Sequence, residues 1–204
     1  MRWVATALGL WLALSSAQAG ATCELPSPRD PAKPGAFYRL VTGPSWVRFD
    51  AKAFMHDFAG KTSQVDGALR VGDAERLSQA DACVRIDAAS LDTGNSTRDG
   101  IMRSDHLETA RFPTIDFLLT AVDGVTHQGE TWEFTASGTL SLHGVSREIR
   151  LALRASQEGD AVRLGGRLPL KMTDYGIRIP RFLFLTVDDE VMVSFDVTAG
   201  RAQR

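Results

Sequence analysis

The stretch TWEFTASGTLSLHGVSREIRLAL, Thr131 to Leu153, alternates apolar and polar side chains, stops at His143-Gly144 and starts again beyond it. Period-two patterning sends successive side chains to opposite faces, so the stretch reads as two long antiparallel strands joined by a tight turn. Gly144 supplies the backbone freedom that such a turn demands. His143 stands at the rim, where its ring can hydrogen-bond the turn backbone; a ligand head group is the alternative partner.

Working outward, the same alternation recurs along the chain. Val47, Phe49, Ala51 and Ala53 share a face; so do Val65, Gly67, Leu69 and Val71. Ala82, Val84 and Ile86 form a third set, and Ile115, Phe117, Leu119 and Ala121 a fourth. Val162, Leu164, Gly166 and Leu168 precede a last set of Val191, Val193, Phe195 and Val197. One segment, Gly94 to Pro113, departs from the rhythm. Ser96 or Thr97 can cap a short helix there, Asp99 falls in its first turn, and Pro113 bars continuation. About eight half-apolar strands with one short helix and no βαβ rhythm describe a single all-β domain, a sandwich or a barrel. Strands longer than the usual ~5–6 residues favour an antiparallel barrel. Small residues on the apolar faces, namely Ala51, Ala53, Gly67, Ala136, Gly138 and Gly166, would leave volume inside it. The plain alternative is that they accommodate strand bending.

The chain has 204 residues, 44% hydrophobic and 24% charged, with a formal net charge of −2. That balance offers no concentrated basic surface for nucleic acid. The N-terminus reads as a signal peptide over residues 1–19: Arg2, an apolar run from Trp3 to Leu14, and small residues at Ala17-Gln18-Ala19. No later apolar run is long enough for a transmembrane span. Residues 20–36 form a proline-rich arm, and residues 37–200 the barrel. The two cysteines, Cys23 and Cys83, suit a disulfide in an exported protein, with two free thiols as the alternative. In DACVRID, Cys83 points away from Ala82, Val84 and Ile86, so a bridge from the arm would cross the outside of the strand.

Nothing in the sequence supplies a catalytic constellation. The four histidines, His56, His106, His127 and His143, lack metal-ligand spacing, and no nucleophile elbow or phosphate-cradling loop is present. A composite site of His56, His106 and His143 at a barrel mouth is the metal or catalytic alternative. No cofactor is expected. Arg98-Asp99 open the helix, either as an internal ion pair fixing the loop or with Arg98 turned to a polar head group.

Four motifs occur in order: SLDTGNSTRDGIM (Ser90–Met102), LETARFPTIDF (Leu107–Phe117), GTLSLHGVSREI (Gly138–Ile149) and DYGI (Asp174–Ile177). Together they resemble the YceI family of secreted polyisoprenoid-binding proteins. The resemblance implies an extended lipocalin-like antiparallel β-barrel with a helix in one connection. It also implies an elongated apolar pore holding an isoprenoid lipid of the polyprenyl or quinone type, export to the periplasm, and no reaction. The chain departs from the pattern at AFMHDFAGK, with Met55 and His56, and in its arm and cysteines. On this basis Phe49, Phe117, Phe134, Leu140, Ile101 and Met102 are expected to line the tunnel. Arg98 would meet a head group, and Tyr175 would close one mouth with its hydroxyl in water. Isoprenoid lipid or quinone is the expected partner, a homodimer is left open, and an accessory role in a membrane redox system is the competing function.

Overall fold

The computed structural model describes residue 23 and residues 34–202, apart from 55, 74–76, 78 and 183–184. The expected signal peptide, most of the proline-rich arm and Met55 lie outside the described residues. In chain order the strands are β1 (Ala36–Leu40), β2 (Trp46–Ala53), β3 (Phe58–Thr62), β4 (Val65–Val71), β5 (Asp81–Asp87) and β6 (Thr114–Gln128). They continue as β7 (Thr131–Leu142), β8 (Val145–Glu158), β9 (Ala161–Lys171), β10 (Arg181–Phe182) and β11 (Leu185–Arg201). The one α-helix among the described residues, α1 (Ser96–Ile101), runs into a π-helical turn over Met102–His106.

Eight strands close into an antiparallel barrel in the order β1-β4-β5-β6-β7-β8-β9-β11 and back to β1. Closure depends on the length of β11, which has 17 residues. One of its edges pairs β9 from Glu190 to Gly200. The other pairs β2 from Val187 to Asp196 and then β1 from Ala199 to Arg201. The hairpin of β2 and β3 therefore extends the wall at one end, where α1 and the π-helical turn lie. Closing the sheet removes the free edges that an open one exposes.

The β7–β8 turn has the expected place and a defined geometry. Leu142 pairs Val145, and both turn residues have positive φ, 52° at His143 and 75° at Gly144. That is the signature of a type I′ hairpin, whose twist matches the strands it joins. A histidine tolerates this conformation less well than glycine, and its side chain is held in compensation. Its Nδ1–H donates to the Tyr175 carbonyl at 3.1 Å, and its ring meets Phe112 edge-on at 4.7 Å between centroids.

Three features differ from the sequence reading. Asn95, and not Ser96 or Thr97, caps α1: its side-chain oxygen accepts from the Arg98 N–H at 3.0 Å. β3 and the two-residue β10 add strands where alternation is too short to register. β6 runs on to Gln128 through two irregularities in its pairing with β7, between Leu119 and Ala121 and between Asp123 and Thr126, which break the alternation.

Outside the barrel, charges pair across neighbouring strands. Arg85 meets Asp116 at 2.8 Å and Arg163 meets Asp196 at 2.6 Å. Cys83 is on this outer face and is fully buried because Cys23 covers it through a disulfide, with Cα atoms 5.6 Å apart. Among the described residues, no helix is long and apolar enough to cross a membrane.

Candidate functional site

The barrel is hollow. Its interior holds a cavity of about 970 Å³, at the upper end of the ~300–1,000 Å³ common for ligand pockets. The lining follows the inward residues of every barrel strand and adds the helix. Along β7 it extends from Trp132 to Leu142, which at ~3.3 Å per residue is a strand path of about 33 Å. Of the residues expected to line it, Phe49, Phe117, Phe134, Leu140, Ile101, Met102 and Arg98 do so. Phe58, Leu164, Leu168, Val193 and Phe195 also face the cavity. Four of those five stood on the apolar faces already and were not singled out; Phe58 belongs to β3, whose short strand carries little periodic signal.

The small residues keep the tunnel open in a different way from that expected. Ala51 and Ala53 line it, whereas Gly67, Ala136, Gly138 and Gly166 do not. The glycines lie beneath side chains of adjacent strands. A Cβ on Gly138 would come within 2.5 Å of the Phe117 ring, and one on Gly166 within 2.9 Å of the Phe195 ring. Phe49 covers Gly60 in the same manner. A phenyl ring can lie flat on the wall only where the residue below has no side chain; otherwise it must swing into the lumen.

Polar lining groups gather at the helix end. There His56, Asn95, Thr97, Arg98, His106 and Arg181 border the cavity, while Asp81 and Gln157 border it at the far end. The segments of the helix-side mouth are tied together. Arg98 stacks 4.5 Å over the Phe58 ring, and the His106 Nδ1–H donates to the Arg178 carbonyl at 2.8 Å. Arg181 pairs with Thr186, whose carbonyl accepts from the Phe54 N–H.

Arg98 and Asp99 do not form the expected direct ion pair; they act through Thr93. The Arg98 Nε donates to Thr93 Oγ1 at 2.7 Å and its Nη2 to the Thr93 carbonyl at 2.9 Å. The Thr93 hydroxyl and N–H donate in turn to Asp99 Oδ1 at 2.6 and 3.0 Å. Burial alone would raise the Asp99 pKa. The Thr93 hydrogen bonds, with the charge of Arg103, outweigh it and hold the carboxyl below its ordinary value. This relay fixes the loop and leaves the Arg98 guanidinium at the mouth.

Tyr175 is placed differently from the expectation. It is 3% exposed, packs among Leu142, Leu170 and Ile177, and is not part of the lining. Burial raises its phenol pKa, which a hydroxyl standing in water would not show. The histidines do not assemble. His56 and His106 border the tunnel, His143 is engaged by Tyr175 and lies 3.3 Å from Glu108, and His127 stacks on Trp132 at 4.5 Å. Among the described residues, no three His, Cys, Asp or Glu side chains are grouped to hold a metal ion.

Comparison with known proteins agrees with this architecture. The solved structure of Burkholderia cenocepacia BcnA superposes with a TM-score of 0.67 at 19% identity, covering 78% of this chain and 98% of that one. A polyisoprenoid binding domain from Saccharophagus degradans, implicated in plant cell wall breakdown, gives 0.66 at 21% identity, covering 83% and 100%. In sequence, a UPF0312 protein of Shewanella denitrificans is 30% identical over 141 residues, which is 65% of this chain and 71% of the relative. The YceI-like domain family model matches residues 38–199, nearly the whole of the barrel. On the shared domain, and on a closed eight-stranded barrel with its helix at one end, the chain belongs to the YceI family.

Proposed function

We propose that this protein is a non-enzymatic periplasmic carrier that sequesters a long-chain isoprenoid lipid, of the polyprenyl or quinone type, in its tunnel. One observation carries the reading: the barrel interior is an elongated hollow walled by hydrocarbon, where a filled barrel of this strand number would have side chains. A hydrocarbon chain in water costs about 0.8 kcal/mol per methylene, and the tunnel removes that cost along its length. Phe49, Phe117, Phe134, Leu140, Ile101 and Met102 would contact the chain, and Arg98 its polar end. The polyisoprenoid binding domain of Saccharophagus degradans, on the same fold, supports the ligand class. The Cys23–Cys83 disulfide supports export to an oxidising compartment.

The test is organic extraction of protein purified from its own cells, followed by mass spectrometry. A polyprenyl species in near-stoichiometric amount is expected. Consistently empty protein, or straight-chain fatty acid alone, would refute the isoprenoid reading.

A further inference from the structure

We propose that the helix-side mouth of the tunnel docks on a bilayer surface containing anionic lipid. The surface itself carries the docking; that cargo enters there rests on the carrier reading above. The mouth carries apolar side chains held out in solvent. Phe54, directly after β2, is 81% exposed, and Ile101, at the end of α1, is 48% exposed while also lining the cavity. A lone exposed apolar residue needs no explanation. Here two large ones flank the same opening, and the Phe54 backbone is bonded to the strand that carries Arg181's partner, Thr186.

Cations surround them. Among the described residues, Arg98, Arg178 and Arg181 have no carboxylate partner, in contrast to the paired arginines of the barrel wall. Of the acids close to these residues in the chain, Asp57 accepts from the Ala53 N–H, Asp99 from Thr93, Asp105 from the Ser104 hydroxyl and Asp189 from Thr173, while Asp174 pairs with Arg147. Among the described residues, no carboxylate lines this end of the tunnel; Asp81 lies at the other, beside Arg70. Exposed aromatic and aliphatic groups ringed by basic side chains suit the headgroup region of a membrane, where the apolar groups reach the acyl boundary and the cations meet phosphate. A second copy of this chain would bring like charges together across the contact. A bilayer is also where a water-insoluble chain resides, so a tunnel opening onto it spares the cargo a passage through water.

The experiment is co-sedimentation of the full mature chain with vesicles of phosphatidylethanolamine and phosphatidylglycerol, compared with phosphatidylcholine alone. Binding to the anionic vesicles is expected, weakened by added salt. Phe54→Ser should lower the partition coefficient about tenfold or more. Arg178→Ser should lower it about fivefold on anionic vesicles only. Neither residue lines the tunnel, so Nile red uptake and the melting temperature should be unchanged. In Phe54→Trp, the new indole should be quenched by brominated lipid while Trp132, at the far end, is not. Failure to bind either vesicle, or Phe54→Ser binding like the parent, would overturn the proposal. So would a concentration-dependent dimer abolished by Phe54→Ser, which would make a second copy the occupant. Vesicle binding without Nile red uptake would support docking and count against the tunnel as a lipid site.

Discussion

Replacing Gly166 with alanine adds one methyl to the barrel wall and tests how the tunnel is held open. Gly166 of β9 lies between Leu153 of β8 and Phe195 of β11. The new carbon would stand 2.6 Å from Leu153 Cδ2 and 2.9 Å from Phe195 Cζ, short of ordinary 3.4 Å contact by 0.8 and 0.5 Å. The nearest backbone atom, the Ala152 carbonyl oxygen at 3.2 Å, is short of that contact by only 0.2 Å, so most of the movement falls to the two side chains. Both line the cavity, and the lumen is the space open to them. Overpacking of this kind costs about 1–3 kcal/mol, of which Gly→Ala returns about 0.4–1 kcal/mol through the less flexible unfolded chain. A net loss of about 1 kcal/mol is expected in urea unfolding, together with reduced Nile red uptake. In a Phe195→Leu background the same change should cost at least ~0.5 kcal/mol less, because the ring is gone. A neutral or stabilising Gly166→Ala with unchanged uptake, or strict additivity with Phe195→Leu, would refute the idea that ring-on-glycine packing maintains the hollow.

Two further expectations concern stability. Removing the disulfide with Cys23→Ala and Cys83→Ala releases a link between residues 60 apart in sequence. The chain-entropy relation assigns such a link about 4 kcal/mol, to be read from the shift in urea midpoint, and a loss below ~1 kcal/mol would contradict it. The Asp99 carboxyl has a lower pKa folded than unfolded, so its contribution is complete above about pH 4 and is lost as pH falls through the folded value. Asp99→Asn should therefore destabilise the protein at neutral pH and flatten its acid-unfolding profile; an unchanged profile would show that the Thr93 relay does not stabilise the fold.

Alternation alone made most of the wall legible. Phe49, Phe117, Phe134 and Leu140 could be placed inside because a strand side chain's face depends only on its parity. The His143-Gly144 turn and the outward direction of Cys83 follow from the same local rule. Closure is not local. Pairing of Tyr38 with Arg201 joins the two ends of the barrel, and no periodic pattern specifies which strands meet. Parity likewise could not tell that Gly138 and Gly166 lie under rings, since that depends on the residue one strand away. Nor could it show that Thr93 stands between Arg98 and Asp99, or that the conformation after Lys171 turns Tyr175 into the wall. The residues by themselves determined which surface is greasy; only the long-range register decided that this surface encloses a tunnel, because packing against distant neighbours sets the space between walls.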